Sequence, residues 1–311
     1  MSISHYIKEI GRGKHGARAL SREQAQDLFG QVLDRSVTDL EIGAFCLAMR
    51  IKAETTEEML GFLDATRQRT HLIGASDGGR ATVVIPSYNG ARKAPALTPL
   101  LALLLVRAGC RVVVHGVSED PARTTSAQVL AALGIGALTD VTQVKDDVLN
   151  YLPIEVLSPA LAQLLAVRRV VGLRNSAHSL VKLMNPCAGP ALVIGSYTHA
   201  EYLVSMDAVY LAAGADALLL RGIDGEAVAD GRRFQHIDAY HAGEKHNLQL
   251  AQTGPISALP DWPADLGAAA TAAYIQQVLS GTQPVPAPIA AQVGHVLQWF
   301  SRIPGLGRVT V

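Results

Sequence analysis

The sequence predicts an α/β protein with a small helical domain at its start and a larger domain in which helices cover a central, mostly parallel sheet. Three observations carry this. In the first seventy residues a hydroxyl residue stands three positions ahead of Gln or Glu three times, at Ser21/Gln24, Thr38/Glu41 and Thr55/Glu58. Each pair suits a helix start, where the two side chains satisfy orphan backbone donors. From residue 81 a second grammar sets in, of β-branched run, polar loop and apolar helix, and it repeats. Finally, 311 residues of which about half are apolar supply more core than a single ordinary domain needs.

Taken in order, the three capped starts lead into apolar residues at helical spacing: Leu28, Val32 and Leu33, then Ile42, Phe45, Cys46 and Met49, then Met59, Phe62 and Leu63. GASDGGR at 74–80 reads as a linker. ATVVIP at 81–86 is a short run suited to a buried strand, and LTPLLALLLVRAG a buried helix that ends at Gly109. RVVVHG at 111–116 is a second strand, and SAQVLAALGIG a second helix with its terminal glycine. In such a sheet both intervening loops lie at the carboxyl edge, where ligands bind. Residues 159–171 read as helix and GLRNSAHSLVKLMNP as a polar segment. ALVIGSY at 191–197 and ADALLLRG at 215–222 are further strands with a crossover helix between them, and the loop IDGEAVADGRR follows. Alanine-rich helical patterns separated by TQPVPAP close the chain.

Composition excludes some functions. Lys plus Arg number 27 and Asp plus Glu 27, so a phosphate or nucleic-acid reading must rest on local clustering and not on a whole-protein field. MSISHYIKEI turns polar before a signal-peptide core forms, and LLALLLV at 100–106 is too short to span a bilayer. A cytoplasmic protein with no membrane partner is expected. Cys46, Cys110 and Cys187 lie far apart without CxxC spacing, which fits reduced, buried thiols.

Four loops carry the candidate chemistry. In IPSYNGARK a Gly-containing turn between strand and helix brings together Tyr88, Asn89, Gly90, Arg92 and Lys93. Backbone N–H groups there can face an anion while the guanidinium and ammonium supply charge. VHGVSEDPAR adds His115, Ser118 and Arg123; GLRNSAHSLVK adds Arg174, Asn175, His178 and Lys182; LLLRGIDGE adds Arg221, Asp224 and Glu226. Several cations against few acids on one predicted edge make a phosphate-reading surface, and a tetrahedral anion is expected near Asn89, Gly90 and Lys93. The bland alternative is a set of turns with solvated charges and a hydrogen-bonded structural His115. Tyr88 reads either as a base-stacking residue or as a core or lid tyrosine. The opening KEIGRGKHGARALSR places Lys8, Arg12, Lys14, Arg18 and Arg22 against Glu9 alone, which is either an electrostatic arm or a solvated end. Neither His199/Glu201 nor His236, His241 and His246 has the spacing of a metal set.

VHGVSEDPARTTSAQVLAALGI, LRNSAHSLVKLMNP and the three-helix opening resemble the anthranilate phosphoribosyltransferase fold, of the nucleoside phosphorylase/phosphoribosyltransferase type, over essentially the whole chain. The resemblance implies a discontinuous helical, dimerising domain of residues 1–75 and about 145–188. It also implies an α/β domain of residues 76–144 and 189–311, with the active site between the two. The substrate motifs depart from that family. PSYNGARK stands where the family keeps a Gly-Thr-Gly-Gly-Asp loop, and Val114-His115-Gly116-Val117 where it keeps Lys-His-Gly-Asn. The acidic pair that helps hold magnesium would fall near Ala227 and Val228, with Asp224 and Glu226 out of step. Arg174, in the segment that binds anthranilate in the family, persists, as do Asn185 and Pro186.

PSYNGARK, VVVHGVSEDPAR, RNSAHSLVKL and KEIGRGKHGAR together are similar to the YbiB group of bacterial proteins. That resemblance implies a homodimer with a basic groove that binds DNA and RNA with little sequence preference and without a cofactor. The alternative is a phosphoribosyl or pentosyl transferase with an altered substrate, using magnesium on Asp224 and Glu226 and His115 as acid or base. A third reading, a protein-interaction platform, rests on the neutral net charge.

Overall fold

The computed structural model describes residues 2–13, 15–256 and 260–309. The chain divides into two compact units, one of residues Met1–His71 and Ile154–Pro186, the other of Leu72–Pro153 and Cys187–Val311.

In the helical unit all three expected capping boxes form, at the starts of helices Arg22–Leu33, Asp39–Lys52 and Thr56–Arg67. A short helix, Ser4–Ile10, precedes them. Their apolar faces meet at three phenylalanines: Phe29 stacks on Phe62 at 4.4 Å, and Phe45 stands edge-on to both at 5.9 Å. One acid is enclosed here: Glu58, fully buried, accepts from Leu20 N, Thr55 N and Lys52 Nζ. The return begins at Ile154, not near 145, because Leu149–Pro153 joins the sheet as an edge strand. The helix expected at 159–171 is interrupted at Val167, giving Pro159–Ala166 and Arg168–Val171, and ends at Gly172 with φ +76°.

The larger unit is a seven-stranded sheet. Its strands are β1 (Thr82–Ser87), β2 (Arg111–Gly116), β3 (Leu149–Pro153), β4 (Leu192–Tyr197), β5 (Ala217–Arg221), β6 (Ile237–His241) and β7 (Glu244–Gln249). They lie in the order β3-β2-β1-β4-β5-β6-β7. β1 to β5 are parallel, while β6 and β7 are antiparallel. Alternate residues Val83, Ile85, Val112, Val114, Leu192, Ile194, Leu218 and Leu220 share one buried cluster with residues of helices Thr98–Arg107, Ser126–Ala132, Ala268–Ser280 and Ala287–Arg302. The chain runs outward from β1 in both directions, so the loops after β1 and β4 flank the point where the winding reverses, the place at which open α/β sheets leave a crevice. Among the described residues no helix is long and apolar enough to cross a membrane. All three cysteines are free and buried, and burial pushes the thiols of Cys46 and Cys110 up to about 11 and about 12.

Candidate functional site

The loop that leaves β1 and the loop that leaves β5 are bound to each other. β1 ends at Ser87, and the chain then turns through Gly90 at φ +65°. A Cβ at that glycine would lie 2.9 Å from the carbonyl oxygen of Thr124. This conformation turns the amides of Asn89 and Gly90 the same way, and both donate to Oε1 of Glu226, at 3.0 and 2.9 Å. Oε2 of Glu226 accepts from Ser87 Oγ at 2.5 Å and Thr98 Oγ1 at 3.0 Å. The side chain is enclosed, with Glu226 only 2% exposed.

Two residues further on, the amides of Arg92 and Lys93 donate to Oδ2 of Asp224 at 2.9 and 3.0 Å. Arg123 Nη1 lies 3.7 Å from Oδ1, and Asn89 Nδ2 donates to the Asp224 carbonyl at 2.7 Å. Burial opposes the charged form of Asp224. The amides of Lys93 and Arg92 and the charges of Arg123 and Lys93 outweigh it and hold the carboxyl below its ordinary range. Asp224 is itself a non-glycine residue in the left-handed region, at φ +55°.

This corrects the expectation of a tetrahedral anion at Asn89, Gly90 and Lys93. The amides do turn toward negative charge, but the chain supplies that charge from its own β5 loop. The same geometry bears on magnesium. All four oxygens of Asp224 and Glu226 already face N–H, hydroxyl or guanidinium donors, so the pair does not fit as ligands for a hard divalent cation, which needs lone pairs free for it. Among the described residues no group of three or more His, Cys, Asp and Glu is placed to hold a metal ion.

His115 closes the other side of the loop. It ends β2 fully buried, and its Nδ1 lies 2.6 Å from Tyr88 Oη, the two rings meeting edge to face at 5.3 Å. Nε2 has no hydrogen-bond partner among the described residues. Burial drives the imidazole down to about 3, so at neutral pH it is an enclosed, uncharged group. Burial and the Tyr88 contact are the surroundings of a hydrogen-bonded structural histidine. Tyr88 is half-buried and held by this contact.

The remaining cations separate into groups. Arg92, Lys93 and Arg221 are exposed at the carboxyl edge of the sheet; Ser118 is exposed too, its carbonyl accepting from Thr125 Oγ1. Arg123 turns inward to Asp224 and the Gly90 carbonyl. Arg174, Asn175, His178 and Lys182 belong to the helical unit. There Asn175 is buried and structural, donating to the Leu164 carbonyl and accepting from Ala177 N. Burial first, then Arg174, Arg168 and Arg50, bring His178 down to about 4. That electrostatic coupling identifies Arg50 and Arg168 as companions of Arg174; with Arg169 they are exposed, and sequence reasoning missed them because the Arg168-Arg169 doublet read as part of an apolar helix.

The N-terminal arm is weaker than its composition promised. Lys8 is exposed, but Arg12 and Arg18 both reach Glu9, at 2.7 and 3.6 Å. Arg22 forks onto Asp64 at 2.6 and 3.0 Å. Lys14 lies outside the described residues. The role of Asp224 and Glu226 as acceptors was also missed. Its signal was the Gly-Ile-Asp-Gly-Glu turn after β5, where a Cβ on Gly222 would fall 2.0 Å from the Glu226 carbonyl oxygen.

Comparison with known proteins agrees with this architecture. Residues 4–70 match the helical bundle domain of the glycosyl transferase family. The chain is 38% identical to the uncharacterized protein YbiB of Escherichia coli K12, over 96% of this chain and 94% of that protein. It is 28% identical to an anthranilate phosphoribosyltransferase of Anaeromyxobacter dehalogenans, over 91% and 84% of the two chains. Among solved structures, the anthranilate phosphoribosyltransferase of Thermus thermophilus superposes with a TM-score of 0.76 at 20% identity, covering 96% of this chain and 90% of that one.

Proposed function

We propose, from the premise that the chain belongs to the YbiB-like branch of the anthranilate phosphoribosyltransferase-fold family, that it binds nucleic acid through side-chain cations and with little sequence preference. One observation carries the reading. The β1 loop spends its amides on Asp224 and Glu226, which leaves the exposed side chains of Arg92 and Lys93 as that loop's means of reaching a polyanion. Arg221 is exposed on the same edge. The two acids weigh against backbone contacts to phosphate, so the interface is narrower than four cation-bearing loops suggested. Tyr88, held against His115, serves the loop's shape and not base stacking. The protein works without a metal or cofactor.

The transferase alternative draws on the same fold, but it asks the loop amides, Asp224, Glu226 and His115 for groups that are engaged or enclosed. A homodimer fits the helical unit. Helix Asp39–Lys52 exposes Leu40, Leu47 and Ile51 at i, i+7 and i+11, one stripe suited to a second copy.

The test is a mobility-shift series with single-stranded DNA, duplex DNA and RNA at several salt concentrations, run beside R92A/K93A. Duplex affinity should fall with a log–log salt slope of about −0.9 per phosphate contact. A salt-indifferent affinity, or one unchanged in R92A/K93A, removes the reading.

A further inference from the structure

We infer that Asp224-Gly225-Glu226 is an internal anion seated in a phosphate-type cradle, and that the cradle beneath it accepts a free tetrahedral phosphate once those carboxylates are removed. This goes beyond nucleic-acid binding and does not depend on it.

The donor inventory is that of a phosphate site. Four amides from one five-residue loop, two hydroxyls and one guanidinium face a single loop that supplies only carboxylate and carbonyl oxygens. Successive N–H groups gathered around a left-handed residue, here Gly90, form the concavity that binds anions elsewhere. Two anion positions share the loop. The inner one, at Asn89, Gly90, Ser87 and Thr98, holds Glu226; the outer one, at Arg92, Lys93 and Arg123, holds Asp224.

The occupant is wound to deliver both acids. Asp224 takes a left-handed conformation that costs a side-chain-bearing residue energy, and Gly222 occupies a turn too tight for a Cβ. Such strain persists when surrounding contacts over-determine it, and the contacts here are the bonds to the cradle. A tethered carboxylate also holds its donors at an effective concentration in the millimolar range or above. The native chain therefore ignores free phosphate, and its cradle is filled without a ligand.

The experiment uses D224G, E226A and D224G/E226A, with glycine chosen at 224 because its backbone suits that residue. Thermal unfolding and amide NMR are followed as millimolar inorganic phosphate replaces chloride at constant ionic strength. The native protein should keep its melting temperature, and the signals of residues 89–93 should stay in place. D224G/E226A should melt lower than native, regain about 3 °C or more in phosphate, and show saturable shifts confined to residues 89–93. A native protein that responds as strongly as the variants overturns the inference, because its cradle would then be open. Folded variants that do not respond overturn it as well. If D224G/E226A does not fold, D224G alone decides: its Arg92 and Lys93 amide signals shift with phosphate, or the inference fails.

Discussion

Replacing Glu226 measures how much the β1 loop depends on its internal anion. In Glu226→Ala the two hydroxyls can find other acceptors: Ser87 Oγ already shares a bond with Ser126 Oγ at 2.7 Å, and Thr98, which opens its helix, can turn toward a carbonyl of the segment just before it. The amides of Asn89 and Gly90 cannot turn, and at 7% exposure for Asn89 they are cut off from bulk water. Each stranded buried donor costs about 1–3 kcal/mol. Against this, removing a buried carboxylate relieves its desolvation cost. A water drawn into the vacated space recovers part of the loss, since the void lined by Glu226, Ala91 and Ala94 is only about 20 Å³ before the side chain is cut.

The net expectation is a loss of about 2–4 kcal/mol, or roughly 5–15 °C in Tm. Glu226→Gln keeps an oxygen for the amides and turns its NH2 toward hydroxyls that can accept, so about 1–2 kcal/mol is expected. Urea unfolding followed by fluorescence reports on the correct unit, because Trp262 and Trp299 both belong to the α/β unit. An alanine variant within about 0.5 kcal/mol of native, or a glutamine variant worse than alanine, refutes the assignment of Glu226 as acceptor for the loop.

His115 and His178 fold with depressed values, about 3 and about 4, against an unfolded value near 6.5. Their contribution is complete above pH 6.5 and is lost as acid protonates the unfolded chain first, with a slope of up to about 1.4 kcal/mol per pH unit for each histidine down to its folded value. Urea midpoints that stay flat between pH 6.5 and 4 contradict this. Asp224, held below its ordinary range, contributes above pH 4 and loses that contribution as pH falls through its folded value, so the stability gap between native and D224N should close in acid. The R92A/K93A pair, exposed at the loop surface, should leave stability within about 0.5 kcal/mol of native while flattening the duplex salt slope by about 1.8; fluorescence anisotropy across a salt series measures both slopes. If the stripe on helix Asp39–Lys52 joins two copies as proposed, L47E/I51E should shift the light-scattering mass toward a monomer, and an unchanged mass of a folded variant refutes that stripe as a dimerisation surface.

The order of elements was legible because its signals are local. In the first seventy residues a hydroxyl residue three positions ahead of Gln or Glu marks three helix starts, and those three pairs all cap helices, whereas Thr198/Glu201 and Ser280/Gln283 share the spacing without capping one. β1, β2 and β4 declare themselves as short apolar runs with Val or Ile, and β5 as a run of leucines. β7, reading Glu-Lys-His-Asn-Leu-Gln with four exposed residues, carries no apolar alternation, because an edge strand with a wet face has little to bury. β3 ends in a proline and follows a polar stretch, so it read as part of the return to the helical unit. At the candidate site the sequence showed which loops share the sheet edge, and composition showed the cations. It did not show pairing. Arg123, Arg12 and Arg22 look alike on the page, yet each is committed to an acid whose distance along the chain ranges from 3 to 101 residues.

The acids deceived for a related reason. Counted along the sequence, Asp224 and Glu226 are a minority among basic loops and out of step with the magnesium pair of the resembling enzymes. In space they are the centre of the arrangement, because a strand–loop–helix turn with inward amides needs an anion and a carboxylate meets that need as a phosphate does. An enzyme must leave the cradle empty for substrate and bear the cost of converging unpaired donors. A chain that fills it from within gains a fixed loop and gives up the pocket. What the filled cradle retains is its outer surface, where Arg92 and Lys93 stand exposed on a backbone pinned at their own amides. Two cations on a rigid loop lose less freedom on meeting a polyanion than two on a mobile one. Loosening the clasp through Asp224→Gly should therefore weaken nucleic-acid binding even though it removes a negative charge, whereas charge alone predicts tighter binding. The sign of that change, read by anisotropy at fixed salt, separates positioning from simple electrostatics.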